Sequence, residues 1–118
     1  MLLMLVLGSI HNMQAQMFSD MKEAKSMAIS ELQTILSKMP HGEEQAYGFN
    51  SREEFANAII ADQVVIESIG HDSIINFNRY RFVVSVNGKP RALLSYRKEW
   101  ESWINCGIGA ANLVREIN

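Results

Sequence analysis

Along the 118-residue chain, apolar positions follow three successive patterns. Leu2 to Leu7 is an unbroken apolar run inside "MLLMLVLGSIHNMQAQ", a stretch without a charged residue. From Met21 the spacing becomes helical: Met21, Ala24, Ala28, Leu32, Ile35 and Met39 recur every three or four positions and mark one apolar face. Ser19-Asp20 with Glu23 reads as a capping box, so this helix is expected to open at Asp20 and to stop at Pro40. Ser51 with Glu54 has the same form and predicts a second, short helix through Phe55, Ala58, Ile59 and Ile60, ending near Ala61-Asp62. From Gln63 the period drops to two. "VVIESI" predicts a strand before the turn "GHDS", and "YRFVVSV" a half-buried strand with Tyr80, Phe82 and Val84 on one side. "RALLSY" is the returning strand, "RKEWE" a connection and "SWINCGI" the last strand, before a closing helix in "GAANLVREI". "IINFN" is open between a short strand and a loop.

Strands that follow one another through short turns favour an antiparallel meander. The expected architecture is α+β: four strands, five if "IINFN" pairs, with two N-terminal helices and a short C-terminal helix packed on one face. Register hangs on "NGKP". A two-residue Asn87-Gly88 loop, carried straight on, sets Phe82 opposite Leu93 and turns Ala92, Leu94 and Tyr96 away from Tyr80, Phe82 and Val84. A three-residue loop with Gly88 as a G1 bulge sets Phe82 opposite Ala92 and Tyr80 opposite Leu94, restoring one apolar face. Because a one-residue slip inverts every side chain, the bulged loop is the expectation.

The length suits a single domain with one core. The run Leu2–Leu7 is far shorter than the ~20 apolar residues that span a bilayer. It has the length of a signal-peptide apolar region, with Ala15 before a cleavage point, although no Lys or Arg precedes it and Met13 stands at the −3 position. Residues 1–15 are therefore expected to be a leader and residues 16–118 the α+β domain. One cysteine, Cys106, allows no intrachain disulfide. Together these features point to a disulfide-free protein of the periplasm or of secreted material, with no membrane span. The net charge of −2 lacks the basic footprint of a nucleic-acid binder.

Charge is nevertheless uneven. Between residue 16 and Asn76 there are ten acidic and four basic residues; from Asn76 onward there are three acidic and seven basic. Arg79, Arg81, Arg91 and Arg97 come from the hairpin, and the bulged register sets all four on the face away from Phe82. Such a row suits an anionic partner. Trp100 and Trp103 flank the last strand; one is expected to plug the core and the other to stay exposed as an anchor, since Trp and Arg are favoured hot-spot residues.

Catalytic signals are weaker. Gly107-Ile108-Gly109 has the outline of a phosphate loop, but the chain ends nine residues later, without the second strand and acidic residue of a dinucleotide fold. Cys106 with His71 or His41 as base would make a small hydrolase or transferase. A core cysteine fits better, because free cysteine is among the most buried residue types. His71-Asp72 reads as part of a turn. The His and Cys residues show no metal-ligand spacing, so neither a metal nor another cofactor is expected.

The pattern "YRFVVSVNGKPRALLSY…W…CGIGAANLVREI" resembles small secreted bacterial proteins of uncharacterised function. That resemblance implies an α+β fold and export, and carries no activity with it. The leading expectation is a secreted, non-enzymatic module that binds a protein or peptide through its sheet face or a strand edge, as an inhibitor-like or pro-segment-like partner of an exported enzyme would. The alternatives are the Cys106 enzyme and a small-ligand carrier with a cavity between helices and sheet.

Overall fold

The computed structural model describes residues 2–71 and 76–110. Helix α1 runs unbroken over Leu2–Ser37. Two short 3-10 turns follow, Glu44–Tyr47 and Arg52–Asn57. Four strands complete the chain: β1 Ala58–His71, β2 Asn76–Val86, β3 Lys89–Glu99 and β4 Ser102–Ala110. They form one antiparallel meander in the order β1-β2-β3-β4.

One face of the sheet packs on α1. Ala24, Ala28, Leu32, Leu36 and Met39 are buried against Tyr80, Phe82 and Val84 of β2 and Ala92, Leu94 and Tyr96 of β3. The two alanines, with no accessible surface left, let the helix lie close to the pleat. Arg52 closes the helix end by donating to the carbonyls of Ser37 and Met39, which have no partner within the helix. Phe49 and Phe55, edge to face at 5.0 Å, fill the end of the core.

Several expectations change. Asp20 does not open a helix; it lies inside α1, and the described side chains that reach the core begin at Met21. The second helix is only the six-residue 3-10 turn, and Ala58–Asp62 are strand. Ser51 makes no capping bond there. Glu54 accepts instead from the Asn50 N–H at 2.7 Å and from Arg91 at 3.1 Å. A helix this short is marginal by itself, so β-branched Ile59 and Ile60 go to the ladder beside Ser85 and Val84. Of "IINFN", Asn76 to Asn78 belong to β2, and the described residues contain no fifth strand. Gly109 and Ala110 continue β4 rather than opening a helix; the rest of the closing helix expected there falls outside the described residues, as do Asp72 and Ser73 of the expected turn.

The β2–β3 turn reaches the expected face by a different device. Val86 pairs with Lys89, so Asn87-Gly88 is a plain two-residue loop, with φ of +52° and +80° as a type I′ turn requires. The ladder then skips Arg91: Ser85 pairs with Pro90, and Val84 with Ala92. Beyond this bulge Phe82 faces Leu94 and Tyr80 faces Tyr96. The apolar residues share one face, but the extra residue is Arg91, not Gly88.

Candidate functional site

The strand alternation that turns Tyr80, Phe82 and Val84 toward α1 turns Arg79, Arg81 and Ser85 outward. On β3 the outward set is Leu93, Ser95 and Arg97. Arg79 lies directly opposite Arg97, a like-charge pairing that costs stability in a sheet. Arg97 is paired with Glu99 at 2.6 Å, and Arg81 stands 3.1 Å from Glu67, an ion pair without hydrogen-bond geometry. Arg79 makes no ion pair among the described residues. The Nε atoms of Arg79, Arg81 and Arg97 are buried without an acceptor there. Arg91 does not join this face. As the bulge residue it reaches the helix side of the sheet and donates to Glu54 at 3.1 Å, so the outward row has three arginines rather than four.

A groove of about 250 Å³ lies on this face. Arg79 and Arg81 line one side, Leu93 and Ser95 the middle strand, and Cys106 to Gly109 the β4 side. Gly107 and Gly109 pair with Ser95 and Leu93, so β4 presents no side chain at these two positions. Cys106 is a bulge in β4: Asn105 pairs with Tyr96 and Gly107 with Ser95, leaving Cys106 between them without a partner. The kink is held by Gly107 at φ +107° and by its N–H donating to Asn105 Oδ1 at 2.7 Å.

This overturns the core cysteine. Cys106 is exposed and lines the groove: alternation from Trp103 and Asn105, which lie on the helix side, turns it to the outer face. No histidine lines the groove among the described residues. His41 is exposed in the loop after α1, and His71 ends β1, at the opposite edge of the sheet. The strand partners of Ser95 and Tyr96 lead across β2 to Val65 and Ile66 on β1. His71 is five residues beyond Ile66, a further ~17 Å at about 3.4 Å per residue.

The tryptophans separate. Trp103 is half-buried on the helix side, edge to face with Tyr80 at 5.7 Å; its Nε1 donates to Glu23 at 3.1 Å, and the Lys98 ammonium stands 5.6 Å from its ring. It ties β4 to α1 and is not on the arginine face. Lys98 also donates to Asp20 at 3.0 Å, and that bond, with the Glu23 charge nearby, holds its ammonium above the ordinary lysine range. Trp100 is 88% exposed in the two-residue turn between Glu99 and Ser102. Its φ of +57° is a conformation that glycine normally occupies in such a turn. A bulky side chain held there is strained, as residues at binding sites often are.

No family model matches the chain, and neither a curated protein nor a solved structure matches it. No helix among the described residues is long and apolar enough to cross a membrane.

Two features carry little sequence signal. Phe49 and Gly48 lie in "HGEEQAYGFN", which reads as a polar connection, yet Phe49 is 1% exposed. Gly48, at φ +101°, lies so close to β3 that an added Cβ would overlap the Arg91 carbonyl oxygen. The β3 bulge, by contrast, had one. Asn-Gly demands a two-residue turn while the apolar pattern forbids its plain register, so an extra residue had to sit somewhere beyond it.

Proposed function

We propose that the protein is an exported, non-enzymatic binding module that recognises a protein or peptide through the outer face of its sheet and the adjoining β4 edge. The observation that carries this reading is the three-arginine face with its groove, placed on the side of the sheet opposite α1. Strained, exposed Trp100 in the β3–β4 turn, three residues beyond Arg97, supports it as an anchor. Leu2–Leu7 serves as the leader that directs the chain to the periplasm or beyond, in keeping with the disulfide-free sequence and the resemblance to small secreted bacterial proteins. An inhibitor-like or pro-segment-like partner of an exported enzyme is the form that suits these features. An enzyme built on Cys106 has less support, because neither His41 nor His71 stands beside the thiol. A carrier with its cavity between helix and sheet has less support too, because that space is filled by Phe82, Leu94 and Tyr96.

Site-specific photocrosslinking tests the reading. A crosslinker at Arg97 or Trp100, in protein recovered from the exported fraction, is expected to capture one discrete partner. The same group at Lys22 or Ser30, on the solvent side of α1, is expected to capture none. Equal adducts from both sets, or none from the sheet, would remove the proposal.

A further inference from the structure

Resting on the binding-module reading, the geometry points to a specific occupant: we propose that the groove receives the carboxylate of an acidic peptide segment laid along β4, with Arg79 and Arg81 as its anion-binding residues. Three independent features converge on an anion. Arg79 and Arg97 are set directly opposite each other, and with Arg81 they face only two carboxylates, Glu67 across from Arg79 and Glu99 beside Arg97, so the face keeps an excess of positive charge. The Nε donors of Arg79 and Arg81 are buried without an acceptor among the described residues, and a carboxylate supplies acceptors in the planar geometry a guanidinium fits best. Ser95 adds a hydroxyl donor between them and β4. An extended peptide, rather than a free anion, follows from the β4 side. β4 is an edge strand, so the outer row of its backbone N–H and C=O groups has no strand partner among the described residues and is available for strand addition on either side of the Cys106 bulge. Gly107 and Gly109 remove the β4 side chains from the way between that edge and the arginines, leaving Ser95 and Leu93 of β3 as its floor. A volume of about 250 Å³ holds one or two side chains and not a folded domain.

The sole cysteine provides the reporter, because Cys106 lines the groove and is exposed. A displayed decapeptide library is selected against the full chain, and the recovered peptides are compared with twins in which each Asp or Glu is replaced by its amide. Recovered sequences are expected to be enriched in Asp and Glu. Amide twins, and the Arg79→Gln and Arg81→Gln variants, are expected to weaken binding about tenfold or more, as loss of a charge-assisted hydrogen bond does. Arg79→Lys is expected to recover part of the loss, since it keeps the charge without the fork. Bound peptide is expected to slow thiol labelling of Cys106. Thermal melting of each variant separates lost binding from lost folding. Recovered peptides without acidic enrichment, or peptides that bind wild type and both glutamine variants alike, overturn the carboxylate assignment and leave the binding module standing. Saturation by inorganic phosphate with no peptide recovered overturns the peptide occupant. Recovery of no peptide together with an empty crosslinking experiment removes both readings.

Discussion

At the scale of single residues, the tightest constraint is a contact rather than a chemical group. Gly48 closes the Glu44–Tyr47 turn in the left-handed region and abuts the Arg91 carbonyl, where an added Cβ would come within 1.9 Å of backbone oxygen. Neither the φ nor the space admits a side chain. Gly48→Ala is expected to cost about 3 kcal/mol or more, beyond the usual penalty for alanine at positive φ, because β3 itself must move. Denaturant unfolding measures this; a loss below about 0.5 kcal/mol would show that the loop yields instead. Gly42 and Gly88 also have positive φ, but a Cβ there meets nothing, so replacing them costs only the backbone term.

At the scale of elements, the sheet is governed by its irregularities. One extra residue in β3, Arg91, corrects the face after the Asn87-Gly88 turn; one in β4, Cys106, turns two glycines to the groove. β1 is also irregular, with register shifts between Ile60 and Val64 and between Ser68 and Gly70. Bulges blunt the edges of a sheet, and both edge strands here carry them. The Arg91 bulge gives a sharp test. Deleting Arg91 removes the extra residue and sends Ala92, Leu94 and Tyr96 to the outer face, so the deletion variant is expected not to fold. Arg91→Ala keeps the bulge and loses only the ion pair with Glu54, at an expected cost of about 1–2 kcal/mol. Circular dichroism separates the two, and a folded deletion variant would show that the register is set elsewhere.

At the scale of the whole molecule, α1 and the sheet are joined by apolar burial and by a line of polar links on one side: Asp20 with Lys98, Glu23 with Trp103, and Glu31 with Tyr96. These links carry a pH signature. Burial, reinforced by the Glu31 carboxylate that accepts a hydrogen bond from it, raises the Tyr96 hydroxyl well above the usual tyrosine range, and burial raises Tyr80 too. Lys98 is raised by its hydrogen bond to Asp20. In all three the folded state holds its proton more tightly than the unfolded chain. Their contribution is thus complete below the ordinary values, near pH 10, and is lost as pH rises toward the folded-state values. Melting temperature is expected to hold near neutrality and fall above about pH 10. Tyr96→Phe is expected to be less stable than wild type at pH 7, by about 1.5–3 kcal/mol, and to converge with it in alkali. Parallel melting curves for the two proteins up to pH 12 would contradict this.

Periodicity and local turn chemistry, both legible in the sequence, account for the apolar face of the helix, the alternation of β2 and β3, the meander order and the shared face of Phe82 and Leu94. These properties belong to contiguous residues and the pleat they form. The arginine face was half legible: Arg79, Arg81 and Arg97 follow the alternation, and Arg91 does not. Where the extra residues sit is settled by tertiary structure alone, because a bulge is a compromise between two strands and is written in neither of them. That placement sent Arg91 to Glu54 and turned Gly107 and Gly109 to the groove. Tertiary pairing also took Ala58–Asp62 from helix to strand, where a partner in β2 outweighed a weak cap. The groove followed from the same cause: it needs β2, β3 and β4 in one particular register, and register is a property of the assembled sheet.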